Sequence, residues 1–112
     1  MSVPRPAATE DVFRAVADPT RRAIIESLGR SGERTVGALA ETVGQSVAMV
    51  SRHLAVLRAA GLVEERRAGR HRFYRLNPAP LRDLYDWASL FTAFWNERVA
   101  NLHRHLERKH ET

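Results

Sequence analysis

The stretch SVAMVSRHLAVLRAAGLVEERRAGRHRFYRL, residues 46–76, reads as a helix, a glycine break and a hairpin in one unbroken run. Val47, Val50, Leu54 and Leu57 recur at three- and four-residue steps, which predicts a helix with those four facing inward. Ser46 stands where a side-chain oxygen caps a first helical turn, and Gly61 stands where the helix must stop. The same spacing turns Ala48, Met49, Ser51, Arg52 and His53 outward. Two β-compatible runs follow, Leu62 to Arg67 and His71 to Leu76, around Ala68, Gly69 and Arg70. They predict a hairpin with an arginine at its tip.

Charge sharpens the reading of this stretch. Residues 46–75 hold seven arginines (Arg52, Arg58, Arg66, Arg67, Arg70, Arg72, Arg75) against two acids, Glu64 and Glu65. The remaining residues balance at eleven basic and eleven acidic, so the whole formal net charge of +5 falls in this one segment. A double helix is a dense row of phosphates whose affinity for a protein comes largely from displaced counterions, and a cluster of this kind fits it. Of the eighteen basic residues only Lys109 is a lysine. Arginine offers a planar fork that pairs bidentately with phosphate or guanine.

Upstream, Thr9, Glu10 and Asp11 read as an N-cap with acids in the first turn, ahead of a stripe of Val12, Phe13, Val16 and Ala17. Asp18 and Pro19 restart the chain as cap and first helical position, leading into Ile24, Ile25 and Leu28 before Gly29 and Gly32. Thr35 then precedes a short helix, Val36 to Val43, stopped by Gly44. Two short helices joined by a glycine-containing turn form a helix-turn-helix pattern. An arginine-rich hairpin directly after the second of them extends it to a winged helix, in which the helix enters the major groove and the wing grips alongside.

Within that frame Arg52 is the candidate for direct base readout, since it reaches guanine O6 and N7 while Ala48 and Ser51 let the backbone approach. Met49 shares their outward face. Ser46, at a helix N-terminus, suits a phosphate, and Gln45 supports that contact or touches a base. His53 divides between a phosphate contact and packing under the helix. Arg67, Arg70, His71 and Arg72 surround Gly69 and are expected to hold the backbone. Arg58 and Arg66 read as solvated surface.

Downstream, Pro78 and Pro80 separate the hairpin from a long helical stretch, Leu81 to about Lys109. Leu81, Leu84, Ala88, Phe91, Trp95, Leu102 and Leu106 recur along it, and Tyr85, Trp87, Leu90, Phe94 and Val99 widen the stripe. That is more apolar surface than a small domain can cover by itself. A two-fold homodimer through this helix and the Phe13 helix is therefore expected, with Phe13, Leu84, Ala88, Phe91, Trp95 and Leu102 in the interface. A second use of the stripe is a pocket for an apolar effector lined by Trp87, Phe91, Phe94 and Trp95, although such stripes are more often packing.

The run Val50, Ser51, Arg52, His53, Leu54, then Leu57, Ala60, Gly61, Leu62, Val63 and GRHRFYRL from Gly69, resembles the ArsR-type winged-helix repressors. Asp18, Pro19, Thr20 and Arg21 resemble the start of their second helix. The resemblance covers roughly residues 10 to 100. It implies a homodimeric bacterial transcription regulator on a palindromic operator, usually a repressor released by a signal. Many members of that family sense metal, and here the chain departs from them. It has no cysteine, and the last-helix ligand positions fall on Pro78, Pro80, Phe91 and Phe94, none of which binds a metal ion. His103, His105, Glu107 and His110 read as a solvated helix end.

Several classes are set aside on composition. Absence of cysteine excludes disulfides, thiolate metal sites and cysteine nucleophiles. No stretch approaches eighteen apolar residues and no apolar signal core opens the chain, so a cytoplasmic protein is expected. No glycine-rich phosphate loop, paired carboxylate or nucleophile constellation appears, which speaks against an enzyme. The expectation is a mainly α winged helix-turn-helix with five helices and a two-stranded wing, dimerising through its terminal helices. Residues 1–8 read as a leader, 9–108 as one DNA-binding and dimerisation domain and 109–112 as a polar tail. Double-stranded DNA and a second copy of the chain are the expected partners, with no metal, cofactor or membrane. The competing class is a helical protein-interaction module whose basic face only solubilises it.

Overall fold

The computed structural model describes residues 6–110, with side chains for residues 10–98 and 101–106. Six helices and three short strands follow in the order α1 (Pro6–Ala17), α2 (Pro19–Ser31), β1 (Arg34–Thr35), α3 (Val36–Val43), α4 (Val47–Ala59), β2 (Val63–Ala68), β3 (His71–Leu76), α5 (Leu81–Ser89) and α6 (Thr92–His110). The expected elements are present, with four differences. Helix α1 begins at Pro6, so Thr9 lies inside it rather than capping it. The wing has a third strand, because β1 pairs antiparallel with β3 through Arg34 opposite Tyr74 and Thr35 opposite Phe73. The sheet order is β1-β3-β2.

The third difference adds the sixth helix. The long terminal stretch breaks at Leu90 and Phe91, where the amides of both bond three residues back, Leu90 N to Trp87 O at 3.2 Å and Phe91 N to Ala88 O at 3.0 Å. Ser89 Oγ donates to the Asp86 carbonyl at 2.7 Å, the group an uninterrupted helix would offer to the Leu90 amide. Fourth, Val47 does not face inward: as the first residue of α4 it overhangs the turn and stands 51% exposed.

One cluster holds the helices and the sheet together. Ile24 and Leu28 of α2, Leu39 and Ala40 of α3, and Val50, Leu54 and Leu57 of α4 pack with Ala15, Leu62, Val63 and Tyr74. Each fully buried leucine, isoleucine or valine contributes about 1.5–3 kcal/mol. The α3–α4 turn needs a left-handed residue, and Gly44 supplies it with φ 69° while its amide bonds Ala40 O at 2.9 Å. Every described side chain of α6 is exposed, so that helix projects from the body.

The kink between α1 and α2 is fastened by side chains. Asp18 Oδ2 accepts the Arg21 amide at 3.0 Å as the cap of α2. The carbonyls that end α1 have no helical partners. Arg21 donates to Ala15 O at 2.7 Å and Arg14 O at 3.0 Å, and Arg22 donates to Val16 O and Ala17 O at 2.9 and 3.0 Å.

The Arg21 amide bond, with smaller help from nearby His53 and the Arg21 charge, holds the Asp18 carboxyl below its ordinary 3.8. A lowered folded-state value stabilises the fold above the unfolded-state value, and the contribution is lost as pH falls through the folded one. Asp18→Asn keeps a capping oxygen without the charge. Its melting temperature is therefore expected to fall less on acidification than that of the wild type, and equal losses in acid melts would show that Asp18 plays no part.

Candidate nucleic-acid interface

Burial of Val50, Leu54 and Leu57 leaves Ser46, Val47, Ala48, Met49, Ser51 and Arg52 exposed together on the outer side of α4. Ser46 caps the helix, its Oγ accepting the Met49 amide at 3.1 Å. Gln45 turns back into the fold, its side-chain amide donating to Thr20 Oγ1 at 2.7 Å and tying the turn to α2. His53 leaves the outer face altogether. Its side chain is 13% exposed, with Nδ1 at 4.0 Å from Asp18 Oδ2 and 3.4 Å from Arg21 Nη1. Val47, a residue absent from the sequence-based set, joins Ala48 and Met49 there as an apolar surface of the kind that meets thymine methyls. Its exposure follows from its place at the helix start, a position where periodicity says least.

The seven arginines of the basic segment divide by their partners. Arg58 meets Glu65 at 3.0 Å, and Arg75 meets Glu64 at 2.7 Å. Arg66 pairs with Glu33 through its Nε at 3.2 Å, with its guanidinium 4.9 Å from the Phe73 ring centre. That pairing holds the Glu33 carboxyl below its ordinary value and raises the Arg66 guanidinium above its own. Both Arg58 and Arg66, read in sequence as solvated surface, are thus half of ion pairs. Arg67 and Arg72 lie 3.5 and 3.8 Å from Glu65. Among the described residues Arg52 and Arg70 have no acidic partner.

The ribbon presents its charge in a fixed register. Arg67 stands opposite Arg72 and Ala68 opposite His71, with Gly69 at φ 61° making the tip. Arg67, Arg70, His71 and Arg72 are all exposed, and nothing would lie within 4 Å of a side chain at Gly69. A backbone phosphate therefore has open access to the tip. Between α4 and the ribbon lies a cleft of about 180 Å³ lined by Ser51, Arg58, Glu65, Arg72 and Tyr74, among others. Burial is the main cause that pushes the Tyr74 hydroxyl above its ordinary value, with the Glu65 charge adding to it.

Helices α1, α5 and α6 carry an open aromatic surface. Phe13 of α1 meets Trp87 edge-on at 5.9 Å, and Trp87 meets Phe91 at 5.5 Å. Trp87, Phe91, Phe94 and Trp95 stand between 44% and 55% exposed, and Leu102 lies exposed further along α6. Leu84 and Ala88 are half-buried on α5. Among the described residues no three His, Cys, Asp or Glu side chains gather in the manner of a metal site, and Glu107 and His110 lie outside the described side chains. No described helix is long and apolar enough to cross a membrane.

A family model described as a helix-turn-helix domain matches residues 16–66. The transcriptional repressor SdpR of Bacillus subtilis is 38% identical over 77 residues, covering 69% of this chain and 84% of its own. The arsenical resistance operon repressor of Escherichia coli is 35% identical over 102 residues, 88% of this chain and 84% of that one. The chain belongs to the ArsR-type winged helix-turn-helix regulators. Its fold agrees: a homodimeric winged helix-turn-helix domain from Mycobacterium bovis, described as a possible ArsR-family transcriptional regulator, superposes with a TM-score of 0.64 at 30% identity over 81% of this chain and 83% of that one. As an ArsR-type protein it is a DNA-binding transcriptional regulator, a role without enzymatic chemistry.

The cap of α4 is the part of this interface whose energetics are simplest to test. Ser46→Ala leaves the Met49 amide without its acceptor and is expected to cost about 1 kcal/mol of unfolding free energy. Urea denaturation measures it. An unchanged midpoint would mean that solvent serves the amide as well as the hydroxyl does.

Proposed function

We propose that this regulator acts as a homodimeric repressor, in the cytoplasm, that occupies a palindromic operator and blocks the promoter there without responding to metal. The observation that carries the reading is the pair of arginines without acidic partners among the described residues, Arg52 on the outer face of α4 and Arg70 at the wing tip. A guanidinium already bonded to a carboxylate must give up that bond to take a phosphate or a base. One without such a partner gives up only water.

The two have different tasks. Arg52 lies beside Ala48, Met49, Ser51 and Val47 on a helix of the size a major groove admits, and a bidentate contact to guanine is the common form of readout there. Arg70, with His71, Arg67 and Arg72, stands on a ribbon that suits the sugar-phosphate backbone. Ser46 sits at the N-terminus of α4, where the helix dipole favours an anion, and Gln45 holds that turn against α2 through Thr20. His53 supports α4 from beneath.

The aromatic face supplies the second copy. Trp87, Phe91, Phe94 and Trp95 each expose about half of a side chain that buries ~150–250 Å² when covered. That is ~300–500 Å², and with Leu102 and the Phe13 edge of α1 it supplies more than half of the ~800 Å² per partner of a stable interface. The Mycobacterium bovis neighbour is homodimeric by its own description, and a two-fold contact here sets the two α4 helices on one side of the pair. The residues from 9 to about 108 work as one unit in this reading. Absence of cysteine, with prolines and phenylalanines at Pro78, Pro80, Phe91 and Phe94, supports regulation by something other than a bound metal.

Two measurements test the division of labour. Arg52→Ala is expected to narrow the gap between operator and random duplex by roughly 1–3 kcal/mol, whereas Arg70→Ala weakens both alike and flattens the salt slope by ~0.9. Identical behaviour of the two variants would contradict it. Adding zinc or nickel to the operator complex is expected to leave its affinity unchanged, and a substantial shift would overturn the metal-independent reading.

A further inference from the structure

Glu65 is an anomaly in a segment whose business is phosphate. It is an acid with a side chain only 11% exposed, and it sits on the face of the ribbon that looks towards α4. Four groups converge on it. Arg58 of α4 donates to Oε2 at 3.0 Å, and Tyr74 of β3 donates its hydroxyl to the same oxygen at 3.5 Å. Arg67 of β2 and Arg72 of β3 approach Oε1 at 3.5 and 3.8 Å.

Two features of this arrangement go beyond stabilising a hairpin. First, Arg67 and Arg72 are direct partners in the antiparallel register, and like charges directly opposite each other on one face repel. A carboxylate two residues before Arg67, opposite Tyr74, lies on that same face and relieves the repulsion. Second, Arg58 comes from the recognition helix, so Glu65 joins that helix to both strands of the wing through one side chain.

We propose that Glu65 is a positioning residue for DNA recognition. Through Arg58 and Tyr74 it fixes the angle of the wing against α4, and it holds Arg67 and Arg72 back from phosphate until the wing is seated on a duplex. This rests on the DNA-binding role reached above. The two wing arginines exchange one anion for another on binding, so their contribution to sequence-independent affinity is reduced. Arg52, without an acidic partner, keeps its full contribution. A wing set at a fixed angle also reaches the backbone only when α4 lies in the groove. Both effects lower binding to random DNA more than binding to the operator.

The test compares full-length wild type and Glu65→Gln, which is nearly isosteric, on random duplex and on duplex selected by the wild type, across a series of salt concentrations. Thermal melts confirm that both are folded. Glu65→Gln is expected to bind random duplex about tenfold more tightly, with a salt slope steeper by ~0.9 for each arginine released, and to gain less on the selected duplex. In an Arg67→Gln/Arg72→Gln background the same substitution is expected to gain clearly less than tenfold on random duplex, since two of the freed groups are gone and only the release of Arg58 and of the wing angle remains. An unchanged operator-to-random ratio, weaker binding to both duplexes alike, or a full tenfold gain in the double-variant background overturns the role of Glu65. Wild type that binds duplex with no dependence on salt would instead overturn the DNA-binding reading beneath it.

Discussion

The rotation of α4 about its own axis is fixed by three side chains, and the interface depends on that rotation. Val50, Leu54 and Leu57 are buried against Ile24, Leu28, Leu39 and Leu62, and turning the helix by one residue would drag polar or charged groups into that cluster. Such a turn carries a penalty on the order of several kcal/mol. The outward display of Ala48, Met49, Ser51 and Arg52 is therefore a consequence of the core. Ser46 at one end and the Gly61 break at the other set where the helix starts and stops. The same cluster takes in Val63 and Tyr74, so the wing is rooted in the packing that orients the helix.

Charge is organised on top of that scaffold by pairing. The basic segment looks uniform as a string of arginines, but in three dimensions acids sort it. Glu33 and Glu64 occupy Arg66 and Arg75, while Glu65 collects Arg58 and draws in Arg67 and Arg72. The exposed Arg75–Glu64 pair adds little stability on its own. The effect of the pairing is on availability, since it leaves Arg52 and Arg70 as the guanidinium groups of the segment with no acidic partner among the described residues. A net charge of +5 thus overstates how much of the surface is ready for phosphate.

Much of this was legible in the sequence because local chemistry and long-range packing agree there. The caps at Asp18 and Ser46, the stop at Gly44 and the turn at Gly69 each have a mechanism confined to a few residues, and each holds in the fold. What was not legible depends on partners distant in the chain or on a break without a marker. Strand β1 is two residues long and exists because β3 lies beside it. The interruption at Leu90 and Phe91 carries neither glycine nor proline, and the apolar periodicity runs through it. His53 turns inward because Asp18 and Arg21 stand beneath it, a contact across more than thirty residues of chain. Glu65 looked like an ordinary wing acid until the register placed it among four donors.

Two copies of this surface matter more than one, because a single helix in a groove reads too few bases to single out a site. In the homodimer proposed above, the aromatic face of α1, α5 and α6 brings the second copy, and the spacing of the two α4 helices follows from it. Selection of duplexes bound by the full-length protein from random DNA, followed by counting chains per selected site, tests this most directly. A two-fold palindrome with half-site centres about one helical turn, ~34 Å, apart or a multiple of it, bound by two chains, is the predicted result. A single unrepeated half-site bound by one chain would contradict it.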